Sequence, residues 1–90
     1  FQWGGTMSTK TRKILANNIV YYRTKRGWTQ EKLAELLSTS SGYVSEIEHE
    51  KRNISCDYID LLANIFEVEP HELLTNRLPV NTRRISRKKR

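Results

Sequence analysis

Apolar residues at helical spacing run through this chain in short stretches, and a polar, glycine or proline signal cuts each one off before it becomes a long helix. Leu15, Ile19 and Tyr22 make one face of a first helix, which Ser8 or Thr9 can cap and which runs to about Lys25; Gly27 ends it. Thr29 caps a second helix over residues 30–37. Glu31 in its first turn suits the positive end of the helix dipole, and Leu33, Ala34 and Leu37 form its stripe. After the polar break Ser38-Thr39-Ser40, a third helix covers about 41–49, with Val44, Ile47 and Glu48 turned inward. Residues 50–54 read as a charged loop. Ser55 caps a fourth helix to about Phe66, and Glu69-Pro70 opens a short fifth with proline at the favoured first position. No segment carries the two-residue period of a strand, and there is no internal repeat.

The expected fold is therefore all-α: a compact five-helix bundle over residues 8–75, its second and third helices at helix-turn-helix spacing. Ninety residues hold one such domain. A cleft deep enough to enclose a substrate would remove much of so small a core. His49 and His71 fall in different segments, with no nucleophile, base and orienter arranged around them. There is no glycine-rich phosphate loop and no His-x-x-x-His pair, so neither enzymatic activity nor a metal or other cofactor is expected. The longest apolar runs, such as 19–22, are far below the roughly 20 residues that span a membrane. A lone cysteine, Cys56, cannot form an intramolecular disulfide, and a reducing, cytoplasmic setting is the expectation. Residues 1–6 read as a tag or cleavage remnant, with Met7 as the native start.

Charge is unevenly placed. Of the 16 Lys and Arg, nine precede Asn76 together with all ten Asp and Glu, and the other seven crowd into residues 76–90 without an acid. The domain is close to neutral and the tail is strongly basic. That tail lacks apolar periodicity and is expected to be disordered, with an acidic partner such as nucleic acid within its reach.

The run Gly27-Trp28-Thr29-Gln30-Glu31-Lys32-Leu33-Ala34, then Tyr43-Val44-Ser45-Glu46-Ile47-Glu48, then Lys51-Arg52-Asn53-Ile54-Ser55 resembles the lambda-repressor/Cro-like helix-turn-helix family. The likeness extends over about residues 15–74. It implies five helices around one core and, in most members, a dimeric transcription regulator that reads operator DNA. The third helix then lies in the major groove.

Carried over residue by residue, the resemblance makes Gln30 a phosphate ligand at a helix start, where unpaired N–H groups favour an anion; the alternative is a solvated residue. Base readers would be Ser41, Gly42, Ser45 and Glu46. This set lacks the Arg that suits guanine and the Asn or Gln that suits adenine. Glu46 can accept from cytosine N4, or it is a surface charge that repels phosphate. The serines can bond several bases, Gly42 admits close approach, and Tyr43 reaches a phosphate or a thymine methyl. DNA shape, bridging water or the tail would then share the work. His49, Lys51, Arg52 and Asn53 would touch the backbone, as would Arg83 and Arg84 of the tail; the alternatives are a solvated loop and a solubilising end. The family often has Gly where Glu50 stands, so a left-handed Glu50 would cost about 1 kcal/mol. Arg23 and Glu48 match a family ion pair between the first and third helices.

Trp28 fits the core or a hydrophobic staple better than a ligand role. Cys56 reads as a small buried residue, with redox sensing as the alternative. Tyr58, Leu61 and Ile65 form a second apolar stripe on the fourth helix, beyond the core stripe of Cys56, Ile59, Leu62, Ala63 and Phe66. That surplus suggests a twofold homodimer interface; burial against the fifth helix or tail is the alternative. The function expected is a sequence-specific, double-stranded-DNA-binding transcription regulator of prokaryotic or phage type. It would be nucleoid-associated and would bind a palindromic operator as a homodimer. The alternative is a protein-interaction module, such as an antitoxin-like domain with incidental DNA contact.

Overall fold

Four hydroxyl side chains start the four α-helices of the computed structural model, which describes residues 9–77. Thr9 accepts from the Arg12 N–H ahead of α1 (Lys10–Lys25), and Thr29 from Lys32 ahead of α2 (Gln30–Leu37). Ser40 accepts from Tyr43 ahead of α3 (Ser41–Glu48), and Ser55 from Tyr58 ahead of α4 (Cys56–Phe66). Each satisfies an N–H that the first helical turn leaves unpaired, worth about 1 kcal/mol. Gly27 closes α1 at φ 71°, whereas Ser38 (58°) and Glu67 (61°) take the left-handed conformation at the ends of α2 and α4 without being glycine. Residues 1–6, Ser8 and the tail beyond Arg77, including Arg83 and Arg84, lie outside the described residues.

The expected fifth α-helix is corrected to a single short 3-10 helix, Pro70–Leu74. The described chain is thus all-helical, with four α-helices and one 3-10 helix rather than five α-helices. One local and one long-range interaction explain the difference. Glu69 and Glu72 close a reciprocal capping box around Pro70, which tightens the first turn. The chain then turns extended at Thr75, so that the carbonyls of Leu73 and Thr75 accept from Asn18 Nδ2 at 2.7 and 2.9 Å instead of continuing a helix.

Leu15, Ile19 and Tyr22 of α1 meet Leu33, Ala34 and Leu37 of α2, Val44 and Ile47 of α3, Leu62, Ala63 and Phe66 of α4, and Leu73. Trp28 stacks on Phe66 with ring centroids 5.9 Å apart, which places it against the core as expected. Cys56 is corrected: it is exposed. It is the first residue of α4, one turn ahead of the level at which that helix meets its neighbours, and the buried stripe there is Leu62, Ala63 and Phe66, with Ile59 half-buried.

Asn18 is the one polar side chain that the described core buries completely. Its amide bridges α1 and the segment after the 3-10 helix, and its Oδ1 accepts from Arg77 Nε at 2.5 Å. The Arg77 guanidinium also lies 4.7 Å from the Tyr21 ring centre and donates to the Tyr22 hydroxyl. Tyr22 donates in turn to Glu72 at 3.1 Å. Burial, and then that bond to Glu72, push the Tyr22 phenol above its ordinary pKa. The 3-10 segment is therefore docked on α1 by polar groups as well as by Leu73.

Candidate nucleic-acid interface

The turn between α2 and α3 is three residues long, closed by a bond from Thr39 N–H to the Ala34 carbonyl at 2.9 Å. So short a connection fixes where α3 begins. Its far end is fixed by charge. Arg23 Nε donates to Glu48 Oε2 at 2.6 Å and Arg23 Nη2 to Oε1 at 3.1 Å, a two-pronged pair between α1 and the last residue of α3. The side chains are only 14% and 4% exposed, so the pair works in a low-dielectric setting where each charge needs the other. Arg23 Nη1 also holds the Trp28 carbonyl at 2.8 Å. The ion pair expected from the resemblance is present, and its geometry is bidentate.

Gln30 joins this cluster. Its Nε2 donates to Glu48 Oε1 at 2.8 Å, so one amide proton of the expected phosphate ligand is committed inside the protein. The residue is half-buried at the start of α2 and couples that helix start to the end of α3.

Pinned at both ends, α3 turns Val44 and Ile47 into the core and leaves Ser41 and Gly42 exposed, with Ser45 and Glu46 half-exposed. A Cβ on Gly42 would meet only Ser40 Oγ at 3.9 Å, so nothing inside the described protein requires glycine there. A helical glycine costs roughly 0.5–1 kcal/mol relative to alanine, and here that cost has no packing reason.

The carboxylates near this face are paired. Glu46 Oε1 accepts from Arg52 Nε at 2.7 Å. The Arg52 guanidinium also covers Tyr43 at 5.2 Å from the ring centre. Tyr43 stands edge-on to Tyr58 of α4, centroids 6.0 Å apart. Burial, then the neighbouring Tyr43, hold the Tyr58 phenol above its ordinary pKa. Glu50 takes φ 65°, the left-handed conformation for which the family often has Gly, and so carries that local cost. Its carboxylate lies 3.5 Å from Lys13 Nζ, and its carbonyl accepts from Arg12 Nη1 at 3.4 Å, so the loop after α3 is tied to the start of α1. His49 Nδ1 is 2.7 Å from the Ser45 carbonyl and therefore carries the proton as donor. Lys51 and Asn53 are exposed beside them.

Sequence reasoning grouped Ser41, Gly42, Ser45, Glu46 and the loop 49–53, and the structure brings them onto one side of the molecule around α3. It missed Arg12 and Lys13, whose approach to Glu50 crosses nearly 40 residues of chain with no local signal. Asn18 and Arg77 were also missed. An Asn among Leu15, Ile19 and Tyr22 on an apolar stripe was the available clue. On α4, Tyr58 and Ile65 are half-buried and Leu61 is 38% exposed. Leu74 of the 3-10 helix, at 41%, is a further exposed apolar side chain.

The chain matches the model of the HTH_3, helix-turn-helix, family over residues 19–73. A Neisseria meningitidis protein described as a Neisseria hypothetical transcription factor is 35% identical over 63 residues, 70% of this chain and 59% of that protein. The chain thus spans less than two-thirds of that relative's length. The restriction-modification controller protein C.AhdI from Aeromonas hydrophila is similar in structure, with a TM-score of 0.64 at 34% identity, covering 69% of this chain and 94% of that one. SinR, a master regulator for biofilm formation solved in complex with DNA, gives 0.62 at 27% identity, covering 68% and 98%.

Removing the cation of the α1–α3 pair strands the Glu48 carboxylate. Arg23→Ala is expected to lower unfolding free energy by about 3–5 kcal/mol. Urea denaturation checks this, and a loss under about 1 kcal/mol, the size typical of a surface pair, would show that the joint is solvated.

Proposed function

The chain belongs to the lambda-repressor/Cro-like helix-turn-helix family, HTH_3, and from that membership we propose a sequence-specific regulator that occupies a palindromic operator as a homodimer, with α3 in the major groove. The observation that carries this reading is the state of the α3 face. It is held at both ends, it exposes short hydroxyls and an unneeded glycine, and the carboxylates beside it are paired with cations. Neutralising Glu46 and Glu50 removes the repulsion that a phosphate backbone would otherwise meet. Lys51, Asn53 and the remaining Gln30 amide proton flank the face as phosphate ligands. Ser41 and Ser45 offer hydroxyls to base edges, and Gly42 lets the backbone approach. A nucleoid-bound, cytoplasmic location goes with this activity. Among the described residues no helix is long and apolar enough to cross a membrane.

The homodimer rests on the apolar side chains of α4 and the 3-10 helix that reach the surface: exposed Leu61 and Leu74, with half-buried Tyr58 and Ile65 beside them. A twofold arrangement through that surface would set half-sites about 34–36 Å apart, one turn of DNA. The same surface supports a second reading, in which it receives a different protein, as in an antitoxin-like domain.

Titrating duplex DNA into isotope-labelled protein at low salt tests the first reading. Amide shifts are expected at Gln30, across 41–46 and at 51–53; shifts elsewhere, with that face silent, would contradict it. Leu61→Lys places a charge in the apolar surface and is expected to move the protein toward monomer in sedimentation equilibrium. An unchanged mass would remove α4 from the homodimer, and a native mass of one chain for the parent protein would favour the hetero-partner reading.

A further inference from the structure

We propose that Arg52 is a specificity-determining residue that reads a guanine in the major groove, and that Glu46 is its positioning residue. The proposal rests on the DNA-reading role of α3. It reassigns both side chains, since Arg52 had been expected on phosphate and Glu46 on cytosine.

The geometry restrains the guanidinium at one edge and one face. Arg52 follows the end of α3 yet folds back along it, so that its Nε donates to Glu46 Oε1 at 2.7 Å. Its face lies over the Tyr43 ring at 5.2 Å. Tyr43 is itself backed by Tyr58 of α4, so the platform under the guanidinium belongs to the packed domain. No hydrogen bond joins Arg52 Nη1 or Nη2 to another described residue, and half of the side chain is exposed. What remains free among the described residues is the outer edge of a planar fork, two parallel N–H groups on a side chain bonded to Glu46 of α3. The acceptor pair that fits such a fork is O6 and N7 of guanine.

Charge separates this reading from a phosphate contact. A guanidinium bonded to a carboxylate at 2.7 Å has lost most of its net charge as seen from a phosphate, so it is a weak counterion. A base edge is a neutral dipole, and hydrogen bonding to it needs direction rather than net charge. The pair retains direction. Anchoring Nε also removes rotamer freedom that a free arginine would lose on binding. Exposed Lys51, next to Arg52 in the chain, is the better phosphate ligand.

The test measures affinities at near-physiological salt for the tightest-binding duplex and every single-base substitution of it. The parent protein is expected to lose roughly 5- to 100-fold at one G·C pair per half-site. R52K keeps the charge but lacks the fork. It should flatten the preference at that pair to about twofold while other positions keep their cost. E46Q should reduce preference at the same pair and at no other, a positional effect that a general loss of folding cannot produce. Circular dichroism verifies that both variants are folded. If R52K weakens every duplex by one common factor, Arg52 is a phosphate ligand and the proposal is overturned. A change of preference in E46Q at a different pair from R52K overturns it too, because Glu46 then reads its own base. A parent protein that distinguishes no duplex defeats the DNA-reading premise itself; a selective parent whose profile survives R52K defeats only the assignment to Arg52.

Discussion

The Arg23 guanidinium and the Glu48 carboxylate meet, two nitrogens to two oxygens, where α1, α2 and α3 converge. Apolar packing alone would leave α3 free to roll, because Val44 and Ile47 are its only buried apolar side chains. An eight-residue helix is far too short to be stable by itself. The pair supplies a directional restraint at the end opposite the Ser40 cap, and Gln30 extends it to the start of α2. The outward face of α3, and hence Ser41 and Ser45, which are proposed to meet base edges, inherits its orientation from this joint.

Electrostatics around that face follow from the same economy of short helices. A domain with nine cations and ten acids before Asn76 cannot attract DNA by net charge. It can do so locally if its acids are occupied. Glu48 is taken by Arg23, Glu50 by Lys13 and Glu46 by Arg52, all within or just after α3. The Arg52–Tyr43–Tyr58 stack carries the arrangement on to α4, which bears the apolar surface proposed for the second subunit. The proposed base-reading face and the proposed subunit contact would thereby share one continuous set of packed side chains.

Helix starts were legible because capping is local. Thr9, Thr29 and Ser55 each sit at the boundary that their side-chain oxygen then secures. Apolar spacing gave the core for the same reason, since 3.6-residue periodicity is a property of neighbouring positions. The Arg23–Glu48 pair was legible only through resemblance to a family. Other features depended on long-range partners. The segment after Leu74 leaves its helix because Asn18, more than 50 residues earlier, donates its side-chain amide to the carbonyls of Leu73 and Thr75. Cys56 was assigned inward from its position in the family, whereas the packed part of α4 begins a turn later. The Glu46–Arg52 bond spans a loop whose left-handed residue at Glu50 folds the chain back, and no periodic pattern reports it.

The central claim is that a fixed α3 face reads base edges and that two copies do so together. Selection of bound sequences from a random double-stranded pool, at near-physiological salt, tests both halves at once. The account predicts an enriched inverted repeat with half-sites about one helical turn apart. An unenriched pool, with binding that vanishes as salt rises, would contradict it and leave only charge-driven association with DNA.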